Sequence, residues 1–218
     1  ESKELKHQFQ HPEIYDYLDI SQINSRLRDG EHWHAVSWIA ERAKENNFLL
    51  YMTKLYGSDD REPEPWAIWR PGDTDNAIEE WWRNLIAGVA GVRFHRPHSG
   101  IGLSNKAKAC IKATRLVEKK VKFWEVEPNL ELLSARDEDE AYLAAKPGEK
   151  YILYFTQQGG GSVGLNLKEY EGHYFNISWF NVDAGQPHSE SVIAGGGIHT
   201  INRPDDKAHW VAAITKQE

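Results

Sequence analysis

The rhythm of hydrophobic and polar positions changes partway along the chain. In the first part, apolar extended stretches alternate with stretches whose apolar residues recur every three or four positions. "YDYLDIS" (15–21) has strand character, and residues 32–45 follow with Ala35, Val36, Ile39, Ala40 and Ala43 at helical spacing. "FLLYMTKLY" (48–56) is a nearly continuous apolar run of strand length. Residues 76–87 read as a helix with Ile78, Trp81, Trp82, Leu85 and Ile86 on one stripe and capping oxygens from Asp75 and Asn76. "AGVRFHRP" (90–97) is a third strand. Residues 106–122 form a third helix, with Ala107, Cys110, Ile111, Val117 and Val121 inward. Strand, helix, strand, helix, strand, helix is the order of parallel βα units.

From about residue 130 the texture differs. "EAYLAA", "KYILYF", "SVGLNL", "HYFNISWF", "ESVIA", "GIHTI" and "HWVAAIT" are seven short strand-like segments, many separated by turns such as "KPGE", "QQGGG", "VDAGQ" and "AGGG". This pattern predicts an antiparallel β-sandwich. Tyr151, Tyr154, Phe155, Phe175, Trp179 and Trp210 supply apolar area for its core, and residues 130–218 are expected to fold alone. The acidic, proline-containing stretch 125–139 bridges the two textures. The expected domains are 1–128, α/β, and 129–218, all-β. Three βα units are a physical problem by themselves, because the sheet edges stay open and a barrel closes with about eight strands. The first part therefore reads as a portion of something larger. Its Trp81, Trp82, Ile86, Val92 and Phe94 are expected to offer more apolar surface than three helices can hide.

Composition narrows the function classes. The chain has 218 residues with a formal net charge of -7, and no Lys/Arg-rich stretch interleaved with aromatics, so nucleic acid is not an expected partner. No apolar run is long enough for a membrane-spanning helix. Nine Trp and nine Tyr suit a core, and also the flat platforms on which sugar rings stack. The one cysteine, Cys110, rules out an internal disulfide framework and a thiolate metal cluster; its helical stripe predicts a buried thiol. The chain starts at Glu1 without an initiator Met, so the compartment is not read from its start. The glycine-rich "QQGGGS" and "AGGG" do not join a parallel strand to a helix; they are hairpin turns, not phosphate cradles.

"YDYLDISQIN", "FLLYMTKLYG", "EEWWRNLIAGVAGVRFHRPHSGIGL" and "KFWEVEPNLELL" resemble, in order, the last part of the barrel in apiosidase-like glycoside hydrolases. "AYLAAKPGEKYILYF", "GGSVGLNL", "YFNISWFNVDAGQ" and "AHWVAAIT" resemble the β-sandwich that follows that barrel and is labelled a collagen-binding domain. The resemblance implies the last three βα units of a (β/α)8, TIM-type barrel followed by the sandwich. The first five units would then have to come from outside these residues, from a second chain or fragment completing the barrel. It also implies an extracytoplasmic setting and a carbohydrate ligand, with no cofactor.

In such barrels the chemistry sits at the C-terminal ends of the strands. Here those ends carry Asp19, Ser21 and Gln22, then Lys54 and Tyr56, then His95, Arg96 and His98. Retaining glycosidases use two carboxyl groups, an acid and a nucleophile. Related enzymes place the nucleophile after the seventh strand, where this sequence has Lys54. An ammonium cannot be that nucleophile.

Each candidate has two readings. Lys54 either pairs with a carboxylate such as Asp19, or holds an anionic sugar, or snorkels to water. Asp19 is an acid, base or hydroxyl-binding group, or a turn acid satisfying backbone N–H groups. "RFHRPHSG" packs Arg93, His95, Arg96 and His98 together; flanking arginines repel a metal ion, so no metal is expected. Those cations either floor a pocket for carboxylates and sugar hydroxyls or pair with a buried acid such as Glu79 or Glu80. Trp66 and Trp69 lie in the proline-rich "EPEPWAIWRPGD", as sugar-stacking platforms or as aromatics pinning their own loop. Trp124, Trp179 and Trp210 are expected in a domain interface and the sandwich core. The catalytic candidates are Asp19, Lys54 and His95. Gln22, Tyr56, Trp66, Trp69, Arg96 and His98 are the substrate-binding ones. The function this points to is a carbohydrate-active protein acting on or binding plant or matrix polysaccharide. The alternatives are a non-catalytic glycan- or matrix-binding protein, or one piece of a split protein.

Overall fold

The computed structural model describes residues 3–20, 29–57, 74–96 and 100–217. Contacts divide the chain into two units, Glu1–Leu103 and Ser104–Glu218.

The first unit begins with α1 (Lys3–Gln10), which the sequence pattern did not anticipate, and continues β1 (Tyr17–Ile20), α2 (Asp29–Glu45), β2 (Leu49–Leu55), α3 (Thr74–Ile86) and β3 (Gly91–Phe94). The strands form a parallel sheet in the order β1-β2-β3, with Tyr17 opposite Leu49 and Met52 opposite Val92. The two faces of this sheet differ sharply. Leu18, Leu50, Met52, Leu55 and Phe94 are buried on the face toward α2 and α3, and the Trp81 ring stacks on Phe94 with centroids 4.4 Å apart. The other face carries Tyr17 at 57%, Leu49 at 55% and Tyr51 at 36% exposure, with the Tyr17 and Tyr51 rings edge to face at 6.2 Å. The expectation about surplus apolar surface is therefore corrected in its location. Trp81, Trp82, Ile86 and Phe94 are buried, because the helices do hide their own side of the sheet. The uncovered apolar residues are on the opposite side.

Helix α3 is buried nearly all round, and several of its polar side chains bond one another or α2. Arg83 donates through Nε to His32 Nδ1 (3.2 Å) and pairs with Glu79 (3.2 Å), while Asn76 donates to Glu80 (3.1 Å). Burial, with the Arg83 charge beside it, pushes His32 well below the ordinary histidine range and favours the neutral ring, whose Nδ1 accepts the Arg83 bond.

The second unit opens with α4 (Asn105–Glu118), whose N-cap Ser104 accepts the Ala107 N–H at 3.1 Å. Twelve strands are numbered among the described residues. Those of this unit are β4 (Glu127–Pro128), β5 (Leu133–Ser134), β6 (Ala141–Lys146), β7 (Lys150–Phe155), β8 (Ser162–Asn166), β9 (Tyr174–Asn181), β10 (Gln186–Ala194), β11 (Ile198–Asn202) and β12 (Trp210–Lys216). They make two antiparallel sheets, β10-β9-β12-β7-β6-β4 and β11-β8-β5. Alternation sends Leu143, Tyr151, Leu153, Phe155, Phe175, Trp179, Trp210 and Ile214 into a core shared with Val163, Leu165 and Ile201 of the smaller sheet. All seven anticipated strands form.

The larger sheet is buried on its other face as well. Ser178, Phe180, Val211 and Ala213 point there, and α4 packs against β9, β10 and β12 through Ala107, Cys110, Ala113, Thr114 and Val117. That packing is why the division falls at Leu103/Ser104, ahead of the boundary at 128/129 that the change of texture suggested. Cys110 is fully buried. Ile111, expected inward, is 41% exposed, since one turn of α4 offers the sheet a narrower stripe than the sequence suggested. Trp124 is 74% exposed, packed only by the Lys122 ammonium over its ring at 5.7 Å, and so fills no interior. The turn after β9 touches α4 so closely that only glycine fits. A Cβ at Gly185, which has φ +61°, would come within 2.7 Å of the Ala109 carbonyl oxygen.

Asp183 in that turn ties the strand end down. Its carboxylate accepts the His209 backbone N–H at 2.7 Å and bonds the His209 ring at 3.1 Å, with the Lys106 ammonium at 3.3 Å. Burial raises the Asp183 carboxyl, but the His209 hydrogen bonds and charge, aided by Lys106, outweigh it and hold the group at about 2. A carboxyl lowered in the folded state stabilises it above the unfolded value and loses that contribution as pH falls. The second unit should therefore lose stability as pH drops from 3.8 to about 2. In acid titrations followed by circular dichroism, Asp183→Asn should flatten the stability profile over that window; an unchanged profile would show that other groups set it.

Candidate functional site

The C-terminal ends of the three parallel strands gather the polar side chains of the first unit. The buried positions of β2 step by two from Leu50 to Met52 and then by three to Leu55. The extra residue coincides with a register irregularity against β3 between Met52 and Leu55. It places Thr53 and Lys54, both half-buried, in a single gap of the alternation. This is how a lysine comes to stand at the end of an apolar strand without entering the core.

Thr53 Oγ1 donates to Asp19 Oδ1 at 2.7 Å, bridging β2 to β1, and Arg93 Nε donates to the Thr53 carbonyl at 2.8 Å, bridging β2 to β3. Just past the strand ends, the Tyr56 and His95 rings stack at 4.6 Å and 27°. The His95 backbone is fixed on both sides, its N–H donating to Leu55 O at 2.7 Å and its carbonyl accepting from Gly102 at 2.8 Å. A Cβ on Gly100 would meet the His95 Cβ and carbonyl oxygen at 2.8 Å, so this close wrap requires glycine. Partial burial, then the charges of Arg96, Lys54 and Arg93, lower the His95 imidazole below its ordinary range and favour the neutral ring.

Of the residues singled out in the sequence, Asp19, Lys54, Tyr56, His95 and Arg96 lie at this edge of the sheet. Gln22, Trp66, Trp69 and His98 lie outside the described residues. Two of the pairings considered do not form. Asp19 is bound by Thr53, and Lys54 makes no ion pair with it. Glu79 pairs with Arg83 on its own helix, so it is not the counter-ion of the "RFHRPHSG" arginines. Among the described residues, no carboxylate forms an ion pair with Lys54, Arg93 or Arg96.

Thr53, Tyr17 and Tyr51 were missed by the sequence reading. Their signal was the odd-position set Leu49, Tyr51, Thr53 in β2, which a strand buried on one side sends to the open face. Chemically, the edge offers one carboxylate oriented by a hydroxyl, a neutral imidazole against a phenol ring, and several cations. A glycosidase-type carboxyl pair is not assembled from the described residues at these strand ends.

Comparison with known proteins identifies the setting of this fold. Residues 128–214 match the model of a family described as "Putative collagen-binding domain of a collagenase". No curated protein is similar enough to match. Among solved structures, a glycoside hydrolase family 5 protein from Bacteroides vulgatus ATCC 8482 superposes with a TM-score of 0.63 at 12% identity, over 92% of this chain and 50% of that one. A protein described as a glycoside hydrolase superposes with a TM-score of 0.61 at 13% identity, over 92% and 52%. A glucosidase from Croceicoccus marinus gives 0.51 at 12% identity, over 98% and 56%. The chain thus spans about half the length of these solved structures. Its fold is shared with these glycoside hydrolases, and residues 128–214 are similar to the collagen-binding-type family model.

Proposed function

We propose that the chain forms the last three βα units and the accessory sandwich of an apiosidase-like, (β/α)8 glycoside hydrolase, and that the completed barrel acts on a plant or matrix polysaccharide. The observation that carries this reading is the asymmetry of the parallel sheet. Helices cover one face, while Tyr17, Leu49 and Tyr51 lie bare on the other and β1 and β3 are both edges. In a barrel the bare face is the interior and both edges are paired. The strand-end cluster of Asp19, Lys54, Tyr56, His95 and Arg96 then lies at the mouth where barrel enzymes bind substrate. The missing units, in the same polypeptide or on a partner chain, would supply the second carboxylate and exclude water from the cleft.

Lys54 favours a second reading. It occupies the strand end where the family resemblance calls for the nucleophile, which suits a glycan-binding barrel without hydrolysis. An assay of the protein isolated from its native source against a panel of polysaccharides separates the two. Released reducing sugar, abolished by Asp19→Asn, supports the enzyme. Retention on a polysaccharide column without hydrolysis supports the binding protein. Neither hydrolysis nor retention on any glycan would overturn the carbohydrate role altogether.

A further inference from the structure

We infer that the strand-end cluster selects sugars bearing an oxyanion, a ring carboxylate or a sulfate ester, with Lys54, Arg93 and Arg96 as its receptors beside the Tyr56–His95 stack. The inference rests on the carbohydrate reading above and adds the substrate class to it. Lys54, Arg93 and Arg96 lie around His95 at one edge of the sheet although the chain as a whole is acidic, at -7. Among the described residues none of the three is neutralised by an ion pair. By contrast, Arg83 is paired with Glu79 and Lys106 with Asp183.

Like charges crowded together repel, and the Asp19 carboxylate, which accepts from the Thr53 hydroxyl, forms no ion pair with any of the three. An incoming anion relieves that repulsion. The Arg93 guanidinium is aimed by its Nε bond to the Thr53 carbonyl, leaving its terminal nitrogens to make the two-pronged contact that suits a carboxylate or sulfate. Arg96 is exposed, and Lys54 is half-buried on the same edge. The stacked pair gives an apolar ring face next to the charge, which is what a sugar ring with a charged substituent presents.

The test is calorimetric titration of the native protein, with the units that complete its barrel, using three probes of equal length: an oligogalacturonide, a sulfated oligosaccharide and a neutral xylo-oligosaccharide. The expected result is preference for one or both charged probes, weakened by salt. Lys54→Gln and Arg96→Gln should each weaken charged-probe binding about tenfold, the loss of one charge-assisted hydrogen bond, and reduce its salt dependence, with the melting temperature unchanged. Preference for the oligogalacturonide over the sulfated probe assigns the carboxylate; the reverse assigns the sulfate. Equal binding of charged and neutral probes would overturn the inference while leaving the carbohydrate reading intact. No binding of any probe overturns the inference. If Lys54→Gln and Arg96→Gln instead only destabilise the native assembly, the cations serve a protein carboxylate, and the inference again fails.

Discussion

A fragment of residues 122–218, which retains every sandwich strand but lacks α4, should melt far less cooperatively than a fragment of residues 104–218. The larger sheet is buried on both faces, and α4 packs on the face opposite the core, against β9, β10 and β12. Phe180 and Val211 lie directly across from each other on that face and are 4% and 0% exposed. Uncovering two large apolar side chains forfeits about 3–6 kcal/mol, against a stability of about 5–15 kcal/mol for a whole domain. The Lys120–Glu190 contact at 3.0 Å, with Glu190 also accepting from Ser178 at 3.1 Å, lies at the rim of this face and adds little by comparison. The 104–218 fragment should therefore show one sharp thermal transition, and the 122–218 fragment a broad one with binding of a hydrophobic dye. Equal, sharp transitions would mean that α4 is a passenger on the sandwich.

How much of this was legible in the sequence depended on the range of the signal. The alternation in "KYILYF" and "HWVAAIT" located β7 and β12, because each strand's own side chains report its buried faces. The Trp81–Trp82 stripe located α3 for the same reason. The role of α4 was not legible: its stripe shows that one side is buried, but nothing in "NKAKACIKATRLVE" says against which sheet. α1 escaped because "KELKHQFQ" has only two large apolar residues, Leu5 and Phe9, and the contacts of Phe9 with Trp38 and Phe48 are tertiary. At the candidate site, Lys54 was conspicuous because a charge interrupts an apolar run. Thr53 was not, although its hydroxyl and carbonyl link all three strands. A threonine next to a lysine is unremarkable until the register irregularity puts both in one gap. The partners of the charges were the least legible feature. Arg83 reaches His32 across 51 positions of sequence, a pairing that no local pattern encodes.

The second large effect concerns the bare face of the parallel sheet. Tyr17, Leu49 and Tyr51 form a contiguous apolar row across β1 and β2, flanked by Asp19, Thr53 and Arg93, on a sheet whose two edges are unpaired among the described residues. Parallel sheets are stable when covered on both faces, and an open hydrophobic edge is a site of aggregation. The account makes this row the lining of a barrel interior. Hydroxyl-radical footprinting read by mass spectrometry measures that directly, comparing the 218-residue chain alone with the protein isolated from its native source together with any chains that accompany it. The expected result is strong labelling of Tyr17, Leu49 and Tyr51 in the chain alone and loss of most of that labelling in the native protein, with exposed Trp124 labelled equally in both as the control. Undiminished labelling of Tyr17 and Tyr51 in the native protein would contradict the partial-barrel account.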